Sequence, residues 1–224
     1  QVAYVPGVGV DTHKFVASEG AREKIRKELA IDEDTIVLLS VGELIPRKNH
    51  IEVLKALKIM KDQGMLVSPE SDERVEPKYK ISYLIAGRGR MAAEIRDIIK
   101  TMALSDYVKM LGFRRDVADV FAASDIYVFP SHQEGLPVAL MEAMSVGLPV
   151  ICSRIRGNTD LIEDGVGGYL FDSKDEQTLV LALKRSSADL PTVRENMGQA
   201  NIETMKSFDK EKVNELMKQL YEQL

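Results

Sequence analysis

Cysteine is almost missing from this 224-residue chain: Cys152 stands alone, so no internal disulfide can form and no cysteine cage for a metal is available. It falls in the apolar run 149–152, where a packed, inert thiol is expected rather than a nucleophile. Histidine is scarce as well. His13, His50 and His132 lie far apart without ligand spacing, and neither a metal site nor a cofactor is expected. There is no excess of positive charge: Lys and Arg number 30 against 35 Asp and Glu, and a net charge of −5 argues against nonspecific nucleic-acid binding. No apolar run approaches the roughly 18 residues of a spanning helix, and no signal-peptide pattern opens the chain, which therefore reads as cytoplasmic.

What is present is ordinary for a globular protein, with 45% hydrophobic and 29% charged residues, and the length suits one large core. Short runs rich in branched residues alternate with amphipathic stretches. That pattern predicts an α/β fold, a Rossmann-like doubly wound parallel sheet of about six strands. Strands are expected over 36–41, 81–86, 107–111, 126–129, 150–152 and 168–171. Helices are expected over 21–30, 50–63, 91–102, 117–122, 138–146 and 160–163, then 176–187, 191–206 and 210–222. The segment 64–80, with Pro69, Pro77 and mixed charges, reads as an exposed loop. In the last helix Val213, Leu216, Met217, Leu220 and Leu224 form one apolar stripe, expected to be buried.

The chemistry concentrates between Phe129 and Val150. A strand ends at Phe129, Gly135 permits a tight turn, and Pro137 suits the first position of a helix starting near Leu136, where its missing N–H costs nothing. Unpaired amides and the positive dipole end make such a start a ready site for phosphate oxygens. Glu134 lies just before it. Glu142 lies about 7.5 Å further along the axis, leaning back toward the helix start, where a carboxylate can hold ribose hydroxyls. Alone among apolar neighbours, Glu142 is either a ligand contact or a buried acid with protein donors. Arg47 and Lys48 precede another helix start, a place that disfavours two cations unless an anion lies between; solvated surface charge is the plain alternative.

The wording P-S-x-x-E-G-x-P followed by E-A-M-x-x-G-x-P-V resembles the family 4 glycosyltransferases of the GT-B fold. The likeness runs from Y-V-P-G-V-G-V-D-T-H-K-F through G-E-L-I-P-R-K-N-H and L-I-A-G-R-G to D-G-V-G-G-Y-L-F, about three quarters of the chain. It is nearest to bacterial enzymes of extracellular and capsular polysaccharide assembly. The resemblance implies the C-terminal, donor-binding domain of a two-domain enzyme, with residues 1–20 as an interdomain-type segment, 21–206 as the nucleotide-sugar domain and 207–224 as a terminal helix that crosses back toward the N-terminal half. It implies retaining transfer from a nucleoside-diphosphate sugar, with uridine expected, to a glycan or lipid-linked acceptor held by that other half, and without an essential metal. Peripheral contact of the full-length enzyme with the inner face of the membrane fits such an acceptor.

Residue by residue, the resemblance implies that Lys48 and Glu134 act on the donor diphosphate and sugar. Gly135, Leu136, Pro137 and Val138 would line the sugar and phosphates, Glu142 would take the ribose, and Arg114, in the loop after the third strand, would neighbour the base. Glu43 departs from the pattern, since that position more often holds arginine and a carboxylate cannot neutralise a diphosphate; either Arg47 or another cation substitutes, or phosphate binding relies more on Lys48 and the helix amides. Arg154 and Arg156 are surface charges or phosphate neighbours. The turn Gly87-Arg88-Gly89 followed by Met91-Ala92 matches a dinucleotide fingerprint weakly, because Met110, Leu111, Gly112 and Phe113 stand where its acidic residue belongs. Two readings of other kinds stay open on the sequence: a nonhydrolysing sugar-nucleotide epimerase, and a noncatalytic nucleotide-binding or assembly module. A dinucleotide-dependent oxidoreductase fits least.

Overall fold

The structure, a computed structural model, describes residues 9–67 and 79–222. Within them the chain runs α1 (Ala21–Glu28), β1 (Ile36–Val41), α2 (His50–Asp62), β2 (Ile81–Ala86), α3 (Ala92–Thr101), β3 (Val108–Gly112), α4 (Val117–Ala122) and β4 (Ile126–Phe129). It continues through α5 (Val138–Ser145), β5 (Val150–Ser153), β6 (Gly168–Phe171), α6 (Glu176–Ala188), α7 (Pro191–Met205) and α8 (Lys210–Glu222). The six strands form one sheet in the order β3-β2-β1-β4-β5-β6, with every pairing parallel. Between β1 and β4 the order reverses. In an open parallel sheet the loops diverge at such a point and leave a crevice at the C-terminal strand ends.

Burial on both faces explains why the strands read as unbroken apolar runs. Alternate residues go to opposite sides: Leu38, Tyr83, Ile85, Val128 and Ile151 pack with Val53, Leu57 and Ile95 of α2 and α3 and with Leu179 and Leu183 of α6. Val37, Leu39, Leu84, Tyr127 and Cys152 pack with Val120 and Phe121 of α4, Leu140 and Met144 of α5 and Met205 of α7. Cys152 is fully enclosed, and burial pushes its thiol well above the ordinary range, which keeps it inert.

Four expectations need correction. Residues 160–163 form a turn rather than a helix, because Gly157 and Gly165 hold positive φ on either side and leave too few residues to nucleate one. The helix after β4 begins at Val138, as the expected range 138–146 has it, and not at Leu136; Pro137 is its non-helical cap (φ −82°, ψ 70°), whose carbonyl accepts from Leu140 and Met141. A short 3-10 turn over Pro46–Lys48 precedes α2, with Asn49 in the left-handed region between them. In α8 only Val213 is buried; Leu216, Met217 and Leu220 are half-buried, so the apolar stripe is incompletely covered by the described residues. Leu224, residues 1–8 of the opening segment and residues 68–78 of the loop lie outside the described residues.

Candidate functional site

Three of the singled-out charges meet at the C-terminal edge of the sheet. The Lys48 ammonium lies 2.8 Å from Glu134 Oε1, and the Arg47 guanidinium lies 2.9 Å from Glu134 Oε2. Lys48 also stands 4.7 Å above the ring of Phe129, the last residue of β4, so an aromatic face and a carboxylate together hold the cation. Arg47 donates to the Gln133 carbonyl, and the His132 amide donates back to the Arg47 carbonyl, stitching the loop after β1 to the loop after β4. Because β1 and β4 pair directly, residues that are remote in sequence become neighbours here.

The Glu134 side chain is only 5% exposed. Burial alone would raise its carboxyl, but the hydrogen bonds of Lys48 and Ser131 and the charge of Lys48, helped by Arg47, outweigh burial and hold it below the usual carboxylate range. Glu142, on α5, is the opposite case. Burial pushes its carboxyl above the usual range, and the charge of Lys14 is the opposing influence, with no hydrogen-bond donor contributing. Its charge also adds to the burial that raises the Tyr127 phenol, whose hydroxyl bonds the Val41 carbonyl at the end of β1. The carboxylate is thus half-buried at the sheet edge and finds no hydrogen-bond donor among the described residues.

Beside this group lies a cleft of about 600 Å³ lined by Val41, Gly42, Ala86, Gly87, Phe113 and Arg114. The Lys48 side chain passes near its edge, since a Cβ built on Gly42 would lie 3.8 Å from Lys48 Cε. The Gly87-Arg88-Gly89 turn forms one wall, and its glycines have a steric cause. A Cβ on Gly87 would fall 1.8 Å from the Gly42 carbonyl oxygen, and one on Gly89 would fall 2.4 Å from that of Leu44. The Leu44 amide then bonds the Arg88 carbonyl, so the turn is locked to the loop after β1.

Gly135 behaves differently. It does not take a positive φ, and a Cβ added there meets nothing within 4 Å. The tight-turn requirement expected of it is absent; the space above it is open. Leu136 is half-buried, Pro137 buried and Val138 exposed along the same loop. Arg114 does not present a free cation: its guanidinium lies 2.6 Å from both Glu28 and Asp116, and these partners raise its pKa further. Phe113, 62% exposed under the Arg88 guanidinium, is the more available group on that loop.

Sequence reasoning passed over a supporting layer. The Ser153 hydroxyl donates to the Ser131 carbonyl, and the Asn158 amide donates to the Ser153 carbonyl and hydroxyl oxygens, fixing the loop that carries Glu134. Gly157 packs against the Glu134 and Gly135 carbonyls. The S-R-I-R-G-N wording held that signal, but buried Ser and Asn give no periodicity to read. Three buried polar atoms on these loops, Asn49 Nδ2, His50 Nε2 and Asn158 Oδ1, find no partner among the described residues, which marks a neighbourhood of unmet hydrogen bonding. Among the described residues no three His, Cys, Asp or Glu are placed to hold a metal ion, and no helix is long and apolar enough to cross a membrane.

A six-stranded sheet of this order, with a charged group at its switch point, defines a nucleotide-binding class of α/β domain. The model of the family "Glycosyl transferases group 1" matches residues 21–204, and the chain belongs to that family. It is 30% identical over 190 residues to the UDP-Gal:alpha-D-GlcNAc-diphosphoundecaprenol alpha-1,3-galactosyltransferase of Escherichia coli, covering 84% of this chain and 46% of that protein. It is 32% identical over 191 residues to the amylovoran biosynthesis glycosyltransferase AmsK of Erwinia amylovora, covering 82% and 41%. The chain therefore spans less than half the length of these two relatives. Its fold matches that of Anabaena Alr3699/HepE, solved in complex with UDP and glucose, with a TM-score of 0.80 at 22% identity over 96% of this chain and 56% of that one.

Proposed function

We propose that this chain is the donor-binding part of a glycosyltransferase that moves a sugar from a uridine-diphosphate sugar to a glycan or lipid-linked acceptor in polysaccharide assembly. The observation that carries the reading is the meeting of Lys48, Arg47 and Glu134 at the switch point beside an open cleft. As the bond from the anomeric carbon to the diphosphate oxygen breaks, negative charge grows on the departing diphosphate and positive charge on the sugar ring. Lys48 and Arg47 are held where they can neutralise the former, which lowers the barrier because the cations need no reorganisation. Arg47 thereby takes the part that Glu43 cannot.

The open space above Gly135 admits a ligand close to the backbone, so residues 135–138 are assigned to the sugar and phosphates, with Glu134 on the sugar hydroxyls. Glu142 is assigned to the ribose, whose two hydroxyls would supply the donors that this half-buried carboxylate lacks. The base is assigned to the cleft, with Phe113 offering an aromatic face and Arg114 holding the loop through Glu28 and Asp116. The acceptor is assigned to protein outside this chain. Residues 1–20 and α8 are assigned to the connection between the two parts; the Thr12 hydroxyl donates to Asp209 at 2.6 Å and supports their joint placement. The relatives' names support the polysaccharide setting, and the related UDP complex supports the choice of base.

Calorimetric titration with UDP, GDP, ADP and NAD, with and without chelator, tests the reading. Saturable binding that prefers UDP and survives chelation is expected. Preference for NAD would move the site to the Gly87 turn and overturn the assignment.

A further inference from the structure

Glu134 already has both oxygens engaged by protein cations, Oε1 by Lys48 at 2.8 Å and Oε2 by Arg47 at 2.9 Å. A diphosphate that reaches those cations meets a resident anion in a pocket where Lys48 is 14% and Glu134 5% exposed. Charges this close and this poorly solvated do not ignore one another, so the incoming anion must share or replace the carboxylate as counter-ion. A displaced carboxylate with no new donors would leave a buried charge unpaired, which is costly. Two features let it move without losing its surroundings. Arg47 is anchored independently on the Gln133 carbonyl, and the fully buried Ser131 hydroxyl lies against the Glu134 carboxyl and helps to hold it low.

We propose that Glu134 is a selectivity residue that makes this site favour sugar-bearing donors over the bare nucleoside diphosphate. It is the internal counter-ion of Lys48 and Arg47 in the empty site and competes there with any diphosphate. Ser131 can keep one hydrogen bond to the displaced carboxylate, but only a donor carrying a sugar adds hydrogen bonds in place of the two cations, from the sugar hydroxyls. UDP, the leaving product, has none to give, so the same residue that helps seat the donor helps expel what remains of it. The inference rests on the donor-site reading and adds a sign to it: removing the charge at Glu134 should strengthen UDP binding while weakening the contribution of the sugar. A residue that only contacted the sugar would leave UDP untouched, and a purely structural residue would weaken every ligand.

The test is calorimetry on wild type and Glu134→Gln with UDP, UDP-glucose, UDP-galactose and inorganic pyrophosphate, with circular dichroism to check folding. The expected result is about fivefold tighter UDP and pyrophosphate binding by the variant, the scale of freeing a pair of cations from one partly buried partner. The affinity ratio of the preferred UDP-sugar to UDP should fall at least as much. Glu134→Asp keeps the charge but is too short to span both cations, and should move both quantities the same way by less; it serves if the glutamine variant does not fold. UDP bound equally or more weakly by both variants, with wild type binding UDP normally, overturns this proposal alone. No UDP binding by wild type overturns the donor-site reading beneath it.

Discussion

Two glycines in loops at the same edge of the sheet, after β2 and after β4, stand on different physics within one molecule. Gly87 follows β2 and is demanded by the fold: its hydrogen faces the Gly42 carbonyl at a distance no side chain tolerates. Gly135 follows β4 and is demanded by nothing in the protein, having ordinary φ and open space where a Cβ would go. The same contrast holds for the charges beside them. Arg114, on the Gly87 side, is tied to Glu28 and Asp116, whereas Lys48, Arg47 and Glu134 sit amid buried polar atoms without partners. The first group is closed by protein contacts, and the second leaves open space above Gly135 and buried polar atoms without partners among the described residues.

Substitutions can break or sharpen that difference. Gly87→Ala should cost about 4 kcal/mol or more, because backbone must move to admit the methyl group, and thermal unfolding would read it as near-complete loss of a cooperative transition. Gly135→Ala should leave stability within about 0.5 kcal/mol of wild type while weakening UDP-sugar binding about tenfold, a split measured by pairing thermal unfolding with calorimetry. Equal damage to stability at both glycines would erase the distinction. An effect between these two is expected from acid. The Glu134 carboxyl is held below its free value of 4.5, so its contribution is full above that pH and fades as pH falls through the lowered value. Glu134→Gln should therefore be less stable than wild type by about 2 kcal/mol at neutral pH, with the gap closing in acid denaturation below pH 4. Smallest is Arg114→Ala, which removes partly solvated pairs and should cost about 1 kcal/mol with less change in nucleotide affinity than Gly135→Ala.

Much of the fold was legible because the strands are buried on both faces, and β1, β2, β4 and β6 match their expected bounds residue for residue. The start of α5 was read both at 138 and near Leu136, since Pro137 can sit at a cap or one position inside a helix; the backbone angles settle it at Val138, as the range 138–146 had it. The 160–163 turn failed for a similar reason: four residues carry no period. At the site, the sequence brought Lys48 and Glu134 under notice separately, but not their contact, because the pairing of β1 with β4 is a property of the sheet and not of either loop. Arg114 looked free until Glu28, 86 positions away, closed on it. Ser131, Ser153 and Asn158 were passed over because support by hydrogen bonds leaves no pattern along the chain.

The most direct measurement is calorimetric titration of UDP and uridine into wild type, Lys48→Ala and Glu142→Ala. Lys48→Ala should lose at least tenfold in UDP affinity and little for uridine, whereas Glu142→Ala should weaken both alike, because one loses the diphosphate contact and the other the ribose contact. Identical UDP affinities in all three proteins would contradict the placement of the nucleotide at this edge of the sheet.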